Sequence, residues 1–372
     1  MFNNLNIKKF SAISKLIKLF VSVVFTFKKI VYKLFLPKIN SQEILIISLQ
    51  KIGDTVFAIP TIKYLYKKYE NRITVLCYSE NEVLLKQFVN QNINSICLPK
   101  ELFFFSGYLV KPVFVKYLKK NCFNEIYDIT GNIISASVLL WLHADNVFGL
   151  NVKYFDSAFT KFYLTKKEDK LTYIYFNVIK LIDKNADISN FINNQYKKPE
   201  VIKILINPFA GWKAKEWDIE KFIELGKILS VNYEVTFNFD KFNYNNKLNM
   251  LAVKNNLKVT VTQNLDELID LLKNYTLFIG NDSGPLYIAA EMKIPTFTIY
   301  GPTNPYHSLP ISGNHSYIQK DIECTPKQFT QYCFTDAGRA GCNHFNCMNQ
   351  LSVEEVYSKV ISFINNLDES ND

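Results

Sequence analysis

Leu277-Phe278-Ile279-Gly280-Asn281-Asp282-Ser283-Gly284-Pro285, continued by Leu286-Tyr287-Ile288-Ala289-Ala290-Glu291, sets out a strand, a tight turn and a helix in succession. The apolar run stops at Gly280, short polar residues follow, and from Pro285 the apolar spacing is helical. Ser283 or Asp282 is expected to cap that helix, and Pro285 suits its first turn because the amide it lacks would be an orphan there. A helix start fed by a Gly-containing turn offers bare amides and a positive dipole end, which suits a phosphate or a developing negative charge. Asp282 stands where such a site also needs an acceptor for sugar hydroxyls. An ordinary strand-to-helix turn uses the same residue types, so the rest of the chain has to decide between the two.

Working outward, the same alternation recurs on both sides. Before the opening stretch come a strand at Val201–Asn207, a helix at Asp218–Leu229 with Asp218 as cap, a strand at Glu234–Phe239, a helix at Lys247–Lys254, a strand at Val259–Val261 and a helix at Leu265–Lys273. After it come a strand at Thr296–Tyr300, the turn Gly301-Pro302-Thr303, and a helix at Val353–Ile364 whose Ser352 and Glu355 form a capping box. In the first half, Glu43–Leu49 reads as a fully buried strand, Gln50–Thr55 as a turn, Val56–Tyr69 as a helix with Pro60 near its start, and Ile73–Tyr78 as the next strand. Strands at Ser95–Leu98, Glu125–Ile129 and Val147–Leu150 follow, with helices near Val110–Lys119, Ile133–Leu142 and Leu171–Ile182. Polar residues from Asp183 to Glu200 mark a linker. The expected class is α/β: a domain at 43–185, a linker at 186–200, a domain at 201–365 and a tail at 366–372, with a cleft between the two sheets. Ligands of such sheets sit at the carboxyl ends of the strands, which is where Gly53, Asp54 and Thr55 fall.

Composition narrows the partners. With 372 residues, 48% hydrophobic and 21% charged, the chain is folded and long enough for two domains. Its net charge is +9, of which residues 1–42 hold +8 with no acid, leaving +1 for the remainder. Nucleic-acid binding by a basic domain face is thereby disfavoured, and no nucleic-acid partner is expected. The run Leu19–Phe27 is far shorter than the ~20 residues of a spanning helix, and Lys28-Lys29 stand where a signal cleavage site would need small residues. Two readings of residues 1–42 remain, a basic amphipathic helix lying on an anionic membrane surface and a helix packed on the protein itself. The first places the protein in the cytoplasm, peripheral on the inner face of the cytoplasmic membrane. Of seven cysteines, Cys77, Cys97 and Cys122 sit among apolar residues. Cys324, Cys333, Cys342 and Cys347 crowd one loop-like stretch with His344; their spacing matches no zinc finger or ribbon, so a metal cluster and a set of reduced thiols both stay open.

Four segments in order resemble glycosyltransferase family 9, the heptosyltransferase family. They are Ile44–Leu49 through Gly53-Asp54 to Pro60; Asn207-Pro208-Phe209-Ala210-Gly211-Trp212 through Lys215-Glu216-Trp217 to Phe222; Gly280–Pro285 with Ala289-Ala290; and Tyr300-Gly301-Pro302-Thr303-Asn304-Pro305. The resemblance implies a GT-B fold of two Rossmann-like domains facing a central cleft, with the basic N-terminal helix added. It implies an inverting, metal-independent transfer of heptose or a related sugar from a nucleotide sugar, ADP-heptose or another, to lipopolysaccharide or a similar surface glycan. No cofactor is implied beyond the donor. Asp54 matches the family's candidate general base, and Gly53 and Thr55 lie with it on the acceptor side. Lys215 matches the phosphate-binding Lys, with Lys213 a nearby alternative, and Asp282, Ser283, Gly284, Pro285, Gly280 and Thr303 fall on the donor side.

Two departures bear on this. The family often has His where this chain has Tyr287, and the acid that holds the nucleotide ribose has no clear counterpart, Asp240 being the available substitute. They motivate a second expectation, a non-catalytic protein of the same fold that binds a nucleotide sugar or glycan. A dehydrogenase is disfavoured because no Gly-x-Gly-x-x-Gly follows the first strand.

Overall fold

The computed structural model describes residues 7–35, 42–104, 109–118, 122–151, 155–166, 168–192, 200–244, 250, 252–311, 313–333, 342 and 344–369. The chain divides into two compact units, residues 1–191 and 192–372. The first holds strands β1 (Ile44–Ser48), β2 (Ile73–Tyr78), β3 (Asn94–Leu98), β4 (Cys122–Asp128), β5 (His143–Asn151) and β6 (Lys161–Leu164). The second holds β7 (Lys203–Asn207), β8 (Glu234–Asp240), β9 (Lys258–Thr262), β10 (Leu277–Asn281), β11 (Thr296–Tyr300) and β12 (His315–Gln319). Every strand in these two sheets runs parallel to its neighbours, in the orders β3-β2-β1-β4-β5-β6 and β9-β8-β7-β10-β11-β12. Each order is the doubly wound 3-2-1-4-5-6 arrangement. Its crevice opens where the winding reverses, beyond Ser48 and Asp128 in one unit and beyond Asn207 and Asn281 in the other.

The central strands are continuous apolar runs because helices cover both faces of the sheet. Ile44, Leu45, Ile46 and Ile47 are wholly buried, as are Leu277, Phe278 and Ile279. Gly280 is a packing requirement at one register point: a Cβ there would meet the Asn207 carbonyl oxygen at 2.7 Å.

Among the described residues, the α-helices of six or more residues are α1 (Ile7–Phe35), α2 (Ile52–Tyr69), α3 (Glu82–Phe88), α4 (Ile133–Leu139), α5 (Leu171–Phe176), α6 (Ile219–Leu229), α7 (Leu265–Leu272), α8 (Gly284–Glu291) and α9 (Val353–Glu369). The expected caps at Asp218 and at Ser352 with Glu355 form. Several boundaries differ from expectation. Helix α2 starts at Ile52, so Gly53 and Asp54 belong to its first turn, and Pro60 lies inside the helix. The helix expected near Val110–Lys119 is a 3-10 segment, Pro112–Tyr117; two Val and two aromatic residues behind a proline favour a short, tight turn over a regular helix. The one expected at Leu171–Ile182 stops at Phe176 and resumes as a 3-10 turn at Ile179–Leu181, with Asn177, a weak helix former, in the gap. The linker expected at 186–200 straddles the division between units, and its residues 193–199 lie outside the described residues, as do 247–249 and 251 of the helix expected at Lys247–Lys254.

Helix α1 packs along one side onto the first unit. Phe25 is buried, the ring of Tyr32 stacks on His143 at 4.5 Å, and Lys18 pairs with Asp156 at 2.9 Å. Lys28 and Lys29 donate to the carbonyls of Leu139 and Phe159 at 2.5 and 3.3 Å. Burial, then the charge of Lys29, lowers the Lys28 ammonium to about 8. No helix among the described residues is long and apolar enough to cross a membrane.

Candidate functional site

In the second unit, the loop after β7 carries Lys215 to the end of β10. Asn281 makes that placement: its amide donates to the Pro208 carbonyl at 2.6 Å and its Oδ1 accepts from the Trp217 amide at 3.1 Å. Trp217 is buried, and its Nε1 donates to the Leu351 carbonyl at 3.1 Å, tying the loop to the residues before α9. Lys215 Nζ then lies 2.5 Å from Asp282 Oδ2, which also accepts from Thr303 Oγ1 at 2.6 Å. Tyr287 donates to the other carboxylate oxygen. Thr303 is held by Gln319 of β12, whose amide donates to the carbonyls of Gly301 and Thr303 at 2.8 and 2.7 Å.

Asp282 is 3% exposed. Burial pushes its carboxyl upward, but the Lys215 charge and the bonds from Lys215, Thr303 and Tyr287 outweigh it and hold the group below the usual carboxylate range. The Tyr287 and Tyr300 phenols are driven well above their ordinary range, by burial first and the Asp282 charge next, so Tyr287 stays a donor. Asp282 is thus an anchored anion, with three donors on two oxygens. Lys215, with 20% of its side chain exposed, is the cation that this anchor presents. Lys213 is solvated at 81% exposure and pairs with Glu216 at 2.8 Å, so of the two lysines only Lys215 joins the cluster.

Helix α8 begins beside Asp282. Ser283 occupies the cap position by its backbone, yet neither it nor Asp282 provides the side-chain cap that was expected. The Ser283 hydroxyl is buried with no hydrogen-bond partner among the described residues. An amide-bearing helix start next to a cation and an unspent hydroxyl is suited to an anionic group. Asp240, the last residue of β8, accepts from the amides of Phe242 and Asn243 at 2.9 and 3.1 Å and from the Asn243 side chain at 2.7 Å.

In the first unit, Asp54 sits in the first turn of α2, where a carboxylate suits the positive end of the helix dipole. Tyr175 of α5 donates to its Oδ1 at 2.9 Å, a partner 121 residues along that carries no signal in the sequence. Gly53 precedes it, half-buried, while Thr55 is wholly buried and its hydroxyl accepts from Asn81 at 2.8 Å. The same Asn81 amide donates to the Gln50 carbonyl at 2.7 Å and so fixes the turn that leads into α2.

Asp128 closes β4 at the same switch point. Burial raises its carboxyl to about 6, against the opposing bonds from the Gly131 amide, Ser135 and the Thr130 amide. A carboxyl raised on folding adds stability that is full below the unfolded value of about 3.9 and is lost as pH rises through 6. Between pH 4 and 7 the wild type should therefore lose up to about 3 kcal/mol relative to Asp128→Asn. Urea unfolding of both proteins at the two pH values measures this; parallel pH dependences would show that Asp128 ionises freely in the fold.

The seven cysteines form no disulfide. Burial pushes Cys347 up to about 11, helped by the proximity of Cys324, Cys333 and Cys342. Among the described residues no group of three or more His, Cys, Asp and Glu side chains is arranged to hold a metal ion.

Known proteins align with this architecture. The family model for glycosyltransferase family 9 (heptosyltransferase) matches residues 113–336. Lipooligosaccharide heptosyltransferase 2 of Campylobacter jejuni is 24% identical over 335 residues, covering 85% of this chain and 96% of that protein. Lipopolysaccharide heptosyltransferase 1 of Campylobacter coli is 27% identical over 245 residues, 51% of this chain and 64% of that protein. Among solved structures, a family 9 glycosyl transferase of Veillonella parvula superposes with a TM-score of 0.65 at 17% identity, covering 87% of this chain and 97% of its own. The E. coli heptosyltransferase WaaC with ADP does so at 0.62 and 12%, covering 87% of this chain and all of its own. The fold is that of the GT-B heptosyltransferases. With more than half of its length matched by the family model, the chain belongs to glycosyltransferase family 9 and is a glycosyltransferase.

Proposed function

We propose that the enzyme transfers a heptose from an ADP-linked donor to a lipid-borne lipooligosaccharide or lipopolysaccharide core, with inversion at the anomeric carbon. The named activities of the Campylobacter relatives support the acceptor class, and the E. coli structure with ADP supports the nucleotide. The observation that carries the reading is the Lys215–Asp282–Thr303 set, built on the buried Asp282 carboxylate next to the α8 start with its unspent Ser283 hydroxyl.

In this reading Lys215 meets the diphosphate, Asp282 and Thr303 hold Lys215 in place, and Ser283 with the Gly284 amide completes the anion site; Pro285 offers no amide. Asp240 stands at the end of the second strand of its sheet, where doubly wound folds place the acid that binds a ribose hydroxyl. Asp54 accepts the proton of the acceptor hydroxyl as that oxygen bonds to the anomeric carbon and the bond to the diphosphate breaks. The charge growing on the leaving diphosphate is met by Lys215 and the α8 amides, so the transfer calls for no resident metal. Nucleotide sugars are cytoplasmic substrates, and a lipid-borne acceptor puts the reaction at the inner membrane surface.

Thermal-shift and calorimetric titration with ADP-heptose, UDP-sugars and GDP-sugars tests the donor assignment. ADP-heptose should bind and raise the melting temperature. Preference for a uridine or guanosine sugar would move the assignment to another donor, and no binding by a folded protein would remove it.

A further inference from the structure

We infer that the solvent-facing side of α1 is an insertion surface for an anionic lipid monolayer. The helix is 29 residues long, and among its described side chains one side is used by the first unit. On the opposite side Leu19, Phe20, Val23, Phe27, Ile30 and Leu34 are 51 to 70% exposed. From Phe20 onward their spacing is three, four, three, four, which places them in one stripe along the helix. An apolar stripe of this length on a docked helix is uncommon on a monomeric surface and marks a place of contact.

Charge selects the occupant. The first 42 residues carry eight lysines and no acid. A second copy of the helix could interleave a stripe with this spacing, but residues 1–42 hold no acid to face the lysines of that copy, and Lys18, Lys28 and Lys29 are already engaged by the first unit. A monolayer of anionic headgroups supplies both the apolar depth and the countercharge. Because Phe25, Tyr32 and Lys28 fasten α1 to the first unit, insertion would hold that unit at the lipid surface.

The inference deepens the membrane part of the proposed function, and its readout is lipid binding, independent of transfer. The full-length protein is floated with vesicles of phosphatidylglycerol and phosphatidylethanolamine, and with vesicles of phosphatidylcholine alone. Strong binding to the first and weak binding to the second is expected. Phe20→Ser/Phe27→Ser should bind the anionic vesicles at least about tenfold more weakly, with unchanged melting temperature because both side chains face solvent. Val23→Ser should weaken binding in the same direction. Undiminished binding by these variants would overturn the inference. So would a wild-type dimer, seen by sedimentation velocity, that ignores vesicles and is dissolved by the double substitution. ADP binding, measured on the same samples, reports the nucleotide site separately.

Discussion

Replacing Asp54 by Asn is expected to slow sugar transfer by about 10²- to 10⁴-fold, the range for loss of a positioned general base, while ADP affinity stays as in the wild type. The substitution is isosteric, and the Asn Oδ1 can still accept the hydrogen bond that Tyr175 donates to Asp54 at 2.9 Å, so the fold around α2 is kept. What is lost is the ability to take a proton from the acceptor hydroxyl. Tyr175→Phe retains the carboxylate and removes only its orienting partner, so its loss of rate should be smaller. Single-turnover kinetics with saturating donor separates the two variants. Equal loss of rate and ADP affinity in Asp54→Asn would assign Asp54 to binding instead of proton transfer.

Lys215→Met should damage both stability and nucleotide binding. Asp282 would remain almost wholly buried with the Thr303 and Tyr287 hydroxyls as its donors and no cation. Removing one partner of a buried pair costs about 3–5 kcal/mol, and the partial exposure of Lys215 places the expected value at the lower end, about 3 kcal/mol. A lost charge-assisted bond to diphosphate, roughly 1.5–3 kcal/mol, weakens ADP binding by about ten- to a hundredfold. The double variant Lys215→Met/Asp282→Asn distinguishes the two effects. Neutralising the stranded carboxylate should return most of the stability, but not the ADP affinity. If ADP binding returned with stability, Lys215 would be a structural cation only.

The parts of the molecule that were legible in the sequence are those whose burial is two-sided. β1, β7 and β10 are built on unbroken apolar runs because their sheets are covered on both faces, and the polar turn after each falls at the carboxyl edge where doubly wound sheets bind ligands. The edge strands β6 and β12 read poorly: Lys161–Leu164 is mostly exposed, His315–Gln319 is only partly buried, and both carry mixed residues, so nothing in them repeats with a strand's period. The start of α2 was displaced because Gly53 and Asp54 look like turn residues, whereas here they are accommodated in a first helical turn. In the site, Lys215 and Asp282 were each identifiable by position, but their pairing spans 67 residues and depends on Asn281 holding the intervening loop. That long-range contact turns Asp282 from an open acceptor into an anchored carboxylate. Likewise α1 is apolar on two sides, so its periodicity alone could not tell which side docks on the protein.

The central claim is that one chain binds an ADP-sugar through the Lys215 cluster and uses Asp54 to pass its sugar to a glycan. The most direct measurement incubates the protein with ADP-heptose and a lipooligosaccharide core truncated before its heptose, then follows acceptor mass and ADP together. The predicted result is a gain of one heptose per ADP released, slowed at least about a hundredfold in Asp54→Asn although that variant still binds ADP-heptose. An acceptor that stays unchanged while ADP-heptose is bound, or a gain that persists at full rate in Asp54→Asn, would contradict it.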